Sequence, residues 1–352
     1  MIVVFHPSAT RNQIDAVSEA VRGRGMTPVA VSLGDATMLV TAESADAETV
    51  AVVTAAPNVA RVVQISGSHR LTTRAFRAED TRVPVGPATF GGPEFVVIAG
   101  PCAVESSAQM SAAADAVHEA GAVMLRGGAF KPRTSPYSFQ GLGVAGLALL
   151  AEQRTRTGLQ VVTEVVTPKD VEVVAQECDM LQIGTRNMQN FDLLRAAGAA
   201  GRPVLLKRGM AATIDEWLHA AEYLMHMGNG DVVLCERGIR SFDRSTRFTL
   251  DLSAVAEVKR LTHLPVIVDP SHSTGQPHLV GPMSLAAAAC GADGLIIDVH
   301  TDARNAMCDG FQALSGEQFA ALMGRLRPVV HAVGRSLGAK PGAKLAPSLT
   351  TV

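Results

Sequence analysis

The stretch Phe95-Val96-Val97-Ile98-Ala99-Gly100-Pro101-Cys102 is an apolar run that stops abruptly in a turn. Apolar runs without alternation suit parallel strands covered by helices. Seven more follow, at residues 123–126, 161–165, 180–183, 204–207, 232–235, 265–268 and 295–299, with helical patterns between them. The helix starts are marked: Thr167-Pro168 offers an N-cap with proline in the first turn, and Thr213/Glu216 and Ser315/Gln318 have capping-box spacing. Eight β/α units over about 240 residues are the size of a (β/α)8 TIM barrel, an α/β fold. The barrel is expected over residues 95–337.

Working outward, residues 1–70 read strand, helix, strand, strand, helix, strand. The strands are expected at 2–5, 27–31, 38–41 and 59–65, and the helices at 11–24 and 45–55. That order is the ferredoxin-like α+β pattern, and nothing in it carries obvious chemistry. Residues 71–94 are polar and punctuated by Pro and Gly, which suits a linker able to pair a strand. Residues 338–352 are rich in Ala, Pro, Gly and Thr and read as a flexible tail.

Composition narrows the function classes. A net charge of -2 supplies no basic field for nucleic acid. The opening run, residues 1–5, is too short for a signal peptide or a membrane span. Five irregularly spaced cysteines argue against a disulfide framework and for a reducing cytoplasm.

Barrel enzymes carry reactive groups just past the C-terminal ends of their strands. There the sequence places Gly100-Pro101-Cys102, then Arg126 with Lys131, Arg133 and Thr134, then Glu164, Gln182 and Arg186. Lys207-Arg208, Glu236-Arg237, Asp269-Pro270-Ser271-His272, Asp298, His300 and Asp309 complete the set. Six cations (Arg126, Lys131, Arg133, Arg186, Lys207 and Arg237) would repel one another, a cost that makes sense for a ligand with several negative charges, such as phosphate plus carboxylate. Cys102, His272, Asp298 and Asp309 offer thiolate, imidazole and carboxylates, a mixed set suited to a first-row divalent ion. Beside a phosphate cluster, such an ion suggests a Lewis acid acting on a carbonyl. Cys178, Cys235 and Cys290 fit small core residues, and Cys308 reads as packing or support.

These residues also carry a likeness. Ile98-Ala99-Gly100-Pro101-Cys102-Ala103-Val104-Glu105-Ser106 resembles the opening of the superfamily of 3-deoxy-D-arabino-heptulosonate-7-phosphate (DAHP) and 3-deoxy-manno-octulosonate-8-phosphate (KDO8P) synthases. Leu125-Arg126-Gly127-Gly128-Ala129-Phe130-Lys131-Pro132-Arg133-Thr134-Ser135 resembles the DAHP branch, where Lys-Pro-Arg-Thr replaces the Lys-Ala-Asn-Arg type of KDO8P synthases. Further matches are residues 184–190, Leu206-Lys207-Arg208-Gly209, Cys235-Glu236-Arg237-Gly238 and Asp269-Pro270-Ser271-His272. The N-terminal extension resembles the regulatory domain of the type Iβ subgroup.

The resemblance implies a metal-dependent DAHP synthase, a transferase that joins phosphoenolpyruvate, erythrose 4-phosphate and water into DAHP and phosphate, the first step of the shikimate pathway to aromatic amino acids. C3 of phosphoenolpyruvate attacks the aldehyde, water adds at C2, and phosphate leaves by C–O cleavage. It implies Cys102, His272, Asp298 and Asp309 as ligands of Mn2+, Co2+, Fe2+ or Zn2+. Arg186, Lys207 and Arg237 would hold the phosphoenolpyruvate phosphate, and Arg126 and Lys131 its carboxylate and reacting end. Arg133 and Thr134 would face the erythrose 4-phosphate phosphate, and Glu164 would orient a water. Lys131, Glu164, His272 and Asp309 would be the catalytic residues. An aromatic amino-acid effector at residues 1–70 and a homo-oligomer, tetramer or dimer, come with the same resemblance. The sequence departs from the family at Asp298, where Glu is usual, Thr185, where Ala is common, and Phe248, where Asn is common. Two readings compete: a KDO8P-synthase-like condensation with another phosphorylated aldose, and a non-catalytic paralogue that binds metal and phosphate.

Overall fold

A computed structural model describes residues 1–338; all but the first residue of the expected tail, 338–352, lies outside them. The N-terminal strands β1 (Ile2–Phe5), β2 (Val29–Leu33), β3 (Ala36–Val40) and β4 (Val59–Val63) form an antiparallel sheet in the order β2-β3-β1-β4. Helices α1 (Arg11–Arg22) and α2 (Ala47–Thr54) cover one face. This is the expected ferredoxin-like arrangement. Strand period decides which side chain goes where. Met1, Val3 and Phe5 pack with Val17, Val21 and Val53 of the two helices. Ile2, Val31 and Met38 instead join the large core shared with the barrel.

The stretch expected as a linker does more than connect. Strands β5 (Val83–Val85) and β6 (Ala88–Phe90) form a hairpin. Val83, Val85, Ala88 and Phe90 are buried in one cluster with the barrel interior, including Val96, Met124, Met180 and Ile267. The hairpin is thus part of the barrel core. Its sequence reads as a connector because only four of its side chains point inward.

Eight parallel strands follow: β7 (Glu94–Gly100), β8 (Met124–Arg126), β9 (Gln160–Val165), β10 (Met180–Ile183), β11 (Val204–Lys207), β12 (Val232–Glu236), β13 (Val266–Val268) and β14 (Gly294–Asp298). Each pairs with the next, and β14 closes on β7. The helices of the outer ring are α3 (Ser107–Ala120), α4 (Val144–Thr157), α5 (Val171–Glu177), α6 (Phe191–Gly198), α7 (Ile214–His226), α8 (Leu252–Leu261), α9 (Pro270–Thr274), α10 (Pro277–Ala289) and α11 (Gly316–Ala332). A short strand β15 (Ser336–Leu337) pairs with the start of β7. Capping boxes start α7 at Thr213/Glu216 and α11 at Ser315/Gln318, as their spacing predicts. Thr167 makes no side-chain cap; its hydroxyl donates to the Asp170 carboxylate. Among the described residues no helix is long and apolar enough to cross a membrane.

Alternation along the strands builds the site. Val97, Leu125, Val161, Leu181, Leu206, Leu234, Val268 and Ile297 pack outward against helices. Ile98, Met124, Val162, Met180, Leu205, Cys235, Ile267 and Ile296 fill the interior. Two residues further along each strand, with the same parity, come Gly100, Arg126, Glu164, Gln182, Lys207, Arg237, Asp269 and Asp298. The apolar interior layer therefore supports a polar layer at the C-terminal mouth. Gly100, at φ 149°, leaves no room for a Cβ, which would sit 2.3 Å from the Arg126 carbonyl oxygen.

Candidate active site

The mouth holds a cavity of about 260 Å³ lined by Arg126, Lys131, Arg133, Thr134, Glu164, Gln182, Arg186, Lys207, Arg237, Arg247, Phe248, His272, Cys308 and Asp309, among others. Every candidate substrate-binding residue from the sequence is on that wall. Cys102 and Asp298 lie just beneath it, nearly without exposure.

The cations are less bare than a count of charges suggests. Arg126 Nη1 lies 2.6 Å from Asp298 Oδ1, both side chains buried. Lys207 forms a buried ion pair with Asp269. Lys131 Nζ donates to the carbonyl oxygen of Cys102 at 3.1 Å and approaches its Sγ at 3.2 Å. Arg133 Nη1 is 2.8 Å from Cys308 Sγ. The expected mutual repulsion of six cations is therefore corrected: barrel closure supplies Arg126 and Lys207 with carboxylates from other strands. Arg208 points away from the mouth and pairs with Glu236 and Asp251.

Arg237 is the exception. It is 4% exposed, has no carboxylate in ion-pair contact among the described residues, and bonds only the carbonyl oxygens of Gly238 and His272. The ring of Phe248 covers its guanidinium, centroid to Cζ 4.1 Å. Burial lowers its pKa to about 10, with Asp269 offsetting only part of that. A buried arginine so placed is set to receive an anion. At the rim, exposed Arg186 reaches Thr134 Oγ1 at 3.4 Å, so the groups expected for two different phosphates adjoin one another.

The donor cluster is compact. The Cys102 thiol donates to Asp309 Oδ2 at 3.3 Å and lies 3.6 Å from His272 Nε2. His272 Nε2 is 3.6 Å from Asp298 Oδ2 and 3.7 Å from Asp309 Oδ2. Two overlapping groups, Cys102/His272/Asp298 and Cys102/Cys308/Asp309, each bring their ligand atoms within 4.8 Å of one another. Buried thiols, imidazole and carboxylates converging in this way fit a borderline divalent ion. The contacts Arg126 Nη1–Asp298 Oδ1 and His272 Nδ1–Asp269 Oδ2 are close ion pairs whose geometry is not that of a hydrogen bond. Asp309 sits in the left-handed region, φ 52°, a conformation that Asp tolerates better than most residues and that is often held at functional sites.

Electrostatics follow the packing. Burial opposes protonation of His272, but Asp269 and then Asp298 outweigh it and raise its pKa. Burial also works against the Asp309 carboxylate, yet His272 and Arg247 hold its pKa at about 2. Glu164 is 7% exposed and lies against Gly184, where any Cβ would fall 1.8 Å from its Oε1. Gly184 thus makes room for the carboxylate.

Sequence reasoning gave Asp269, Arg247 and Gln312 no individual role. Strand parity identifies Asp269. The others come from loops. Arg247 Nη1 donates to Gln312 Oε1 at 2.8 Å and to Asp309 Oδ1 at 3.5 Å. Gln312 Nε2 donates to Asp298 Oδ2 at 2.6 Å. Cys308, expected as packing or support, has its Sγ 3.4 Å from Cys102 Sγ, beside the donor cluster. His300 is held by Glu105, 3.4 Å from Nε2 to Oε2, and does not line the cavity.

Comparison with known proteins agrees with this geometry. Residues 80–331 match the DAHP synthetase I family. A phospho-2-dehydro-3-deoxyheptonate aldolase of Thermotoga maritima is 47% identical over 276 residues, 78% of this chain and 82% of that protein. A 2-dehydro-3-deoxyphosphooctonate aldolase of Syntrophotalea carbinolica is 34% identical over 66% of this chain and 90% of its own length. The crystal structure of the Thermotoga maritima phospho-2-dehydro-3-deoxyheptonate aldolase (DAHP synthase) aligns with TM-score 0.76 and 40% identity, covering 96% of this chain and 98% of that one. A truncated form of the Thermotoga maritima 3-deoxy-D-arabino-heptulosonate 7-phosphate synthase aligns over 77% of this chain and all of its own, with TM-score 0.72 and 44% identity. With a barrel whose mouth combines a cation wall and a mixed donor cluster, and a family match across most of its length, this chain belongs to the DAHP synthetase I family.

Proposed function

We propose that this chain condenses phosphoenolpyruvate with erythrose 4-phosphate and water to give DAHP and phosphate, with a divalent metal. The observation that carries the reading is Arg237, buried without a carboxylate partner among the described residues in the cavity that borders the Cys102/His272/Asp309 donors. Arg237, Lys207 and Arg186 bind the phosphoenolpyruvate phosphate, and Arg126 and Lys131 orient its carboxylate. Arg133 and Thr134 take the second phosphate, and Glu164 orients the water that adds at C2. Cys102, His272, Asp298 and Asp309 are the candidate ligands. A divalent ion bound there would supply Lewis acidity to the aldehyde oxygen. Fixed cations stabilise negative charge as it develops, without reorganising at the moment of reaction. The Lys131-Pro132-Arg133-Thr134 segment favours erythrose 4-phosphate over the longer aldose of the KDO8P branch.

The reading extends to residues 1–70 as a regulatory module for an aromatic amino acid and to a homo-oligomer. The edge strand β2, with Val29 42% exposed, supports the homo-oligomer by offering an unpaired edge.

The test is the loss of phosphoenolpyruvate ultraviolet absorbance in the presence of erythrose 4-phosphate. Turnover should vanish after chelation and return to different extents with Mn2+, Co2+, Fe2+ or Zn2+. Full activity after verified metal removal would refute the metal requirement, and no turnover with any metal would favour a non-catalytic paralogue.

A further inference from the structure

We propose that Cys308 is a ligand of the metal, making this a two-thiolate site. The inference rests on the proposed metal-dependent reading of the same cavity. Two observations point to it. First, both carboxylate oxygens of Asp298 are already engaged: Oδ1 lies 2.6 Å from Arg126 Nη1, and Oδ2 accepts from Gln312 Nε2 at 2.6 Å. Drawing Asp298 onto an ion would strip a buried guanidinium of its counter-charge. The short aspartate side chain leaves little reach to serve both.

Second, a sulfur stands on the other side of the same donors. Cys308 Sγ is 3.4 Å from Cys102 Sγ and 3.7 Å from Asp309 Oδ2. Metal–sulfur bonds near 2.3 Å and metal–nitrogen or –oxygen bonds near 2.0–2.2 Å give tetrahedral donor–donor edges of roughly 3.3–3.8 Å. The Cys102–Asp309, Cys102–His272 and His272–Asp309 separations of 3.3, 3.6 and 3.7 Å fall in the same range. Cys102, Cys308 and Asp309 thus form a three-donor group with all ligand atoms within 4.8 Å of one another, while His272 belongs to the neighbouring group with Cys102 and Asp298. Arg133 Nη1 lies 2.8 Å from Cys308 Sγ on the cavity side. Two thiolates make the site softer than one with a second carboxylate and favour Zn2+ or Co2+ over Mn2+.

Cobalt tests this without turnover. The metal-stripped full chain is loaded with Co2+, and the near-ultraviolet thiolate-to-cobalt band is measured per bound ion. Wild type should show the intensity of two thiolates. Cys308→Ser and Cys102→Ser should each lose about half, and the double variant all of it. Cys308→Ala repeats the test without a hydroxyl that can coordinate. Undiminished intensity per ion in a folded Cys308→Ala protein overturns the proposal and leaves the reaction standing. A wild type that binds no cobalt overturns the metal-dependent reading along with it.

Discussion

Arg126 Nη1 on β8 and Asp298 Oδ1 on β14 lie 2.6 Å apart beneath the barrel mouth, with almost no solvent on either side chain. The strands are not adjacent; β7 lies between them. The pair spans the barrel wall and sets the charge at its base.

Removing one partner leaves a buried, uncompensated charge. Asp298→Ala should lower unfolding free energy by about 3–5 kcal/mol, read from urea denaturation. Asp298→Glu keeps the charge and adds a methylene, so its carboxylate can reach both Arg126 and the donor cluster. It should tighten metal binding in chelator competition and preserve or raise kcat. A folded Asp298→Glu protein without activity would mean that the site is tuned to aspartate.

The two substrates separate at the rim. Arg186 is exposed and reaches the Thr134 hydroxyl at 3.4 Å, so Arg186→Ala removes a phosphate contact with little structural cost. It should weaken phosphoenolpyruvate binding by roughly 1.5–3 kcal/mol, seen as a raised KM for that substrate. Arg133→Ala should chiefly raise the KM for erythrose 4-phosphate. If Arg133→Ala shifted only the phosphoenolpyruvate KM, the two phosphate positions would be interchanged.

The hairpin of β5 and β6 should behave as core. Phe90 is fully buried against the barrel interior, and Phe90→Ala should cost about 3–5 kcal/mol in thermal or urea unfolding. A truncation starting near Arg82 keeps the hairpin and should keep the chemistry while losing any response to aromatic amino acids. One starting at Glu94 discards it and should fail to fold. Equal stability of the two fragments would show that the hairpin is dispensable.

His263 gives the join between the N-terminal module and the barrel a pH dependence. It is 2% exposed; its Nδ1 meets Thr81 Oγ1 at 2.7 Å and its Nε2 the Leu71 carbonyl oxygen at 2.8 Å. Burial lowers its pKa from 6.5 to about 4. The folded state thus binds this proton less readily than the unfolded chain. Its contribution is fully present above pH 6.5 and is lost as pH falls toward 4, by about 3 kcal/mol in all. His263→Gln should flatten that part of the stability–pH curve, and an unchanged slope would assign the acid sensitivity to other groups.

The sequence by itself determined the barrel, the order of its strands and which strand-end residues form the mouth. Those features follow from local geometry. A strand alternates its side chains, so Met124 and Arg126, Val162 and Glu164, or Leu205 and Lys207 share one interior face whatever surrounds them. Capping at Thr213 and Ser315 is equally local. Tertiary structure alone decided which charges meet. Arg126 finds Asp298, and Lys207 finds Asp269, only when the barrel closes. That pairing leaves Arg237 buried without a carboxylate partner among the described residues. Cys308 reaches Cys102 because the loop after β14 folds back over the mouth, and the hairpin enters the core because the open end of the barrel needs apolar side chains to fill it. Periodicity along a chain fixes direction, but counter-charges and cavities are shared between distant segments, and no single segment encodes them.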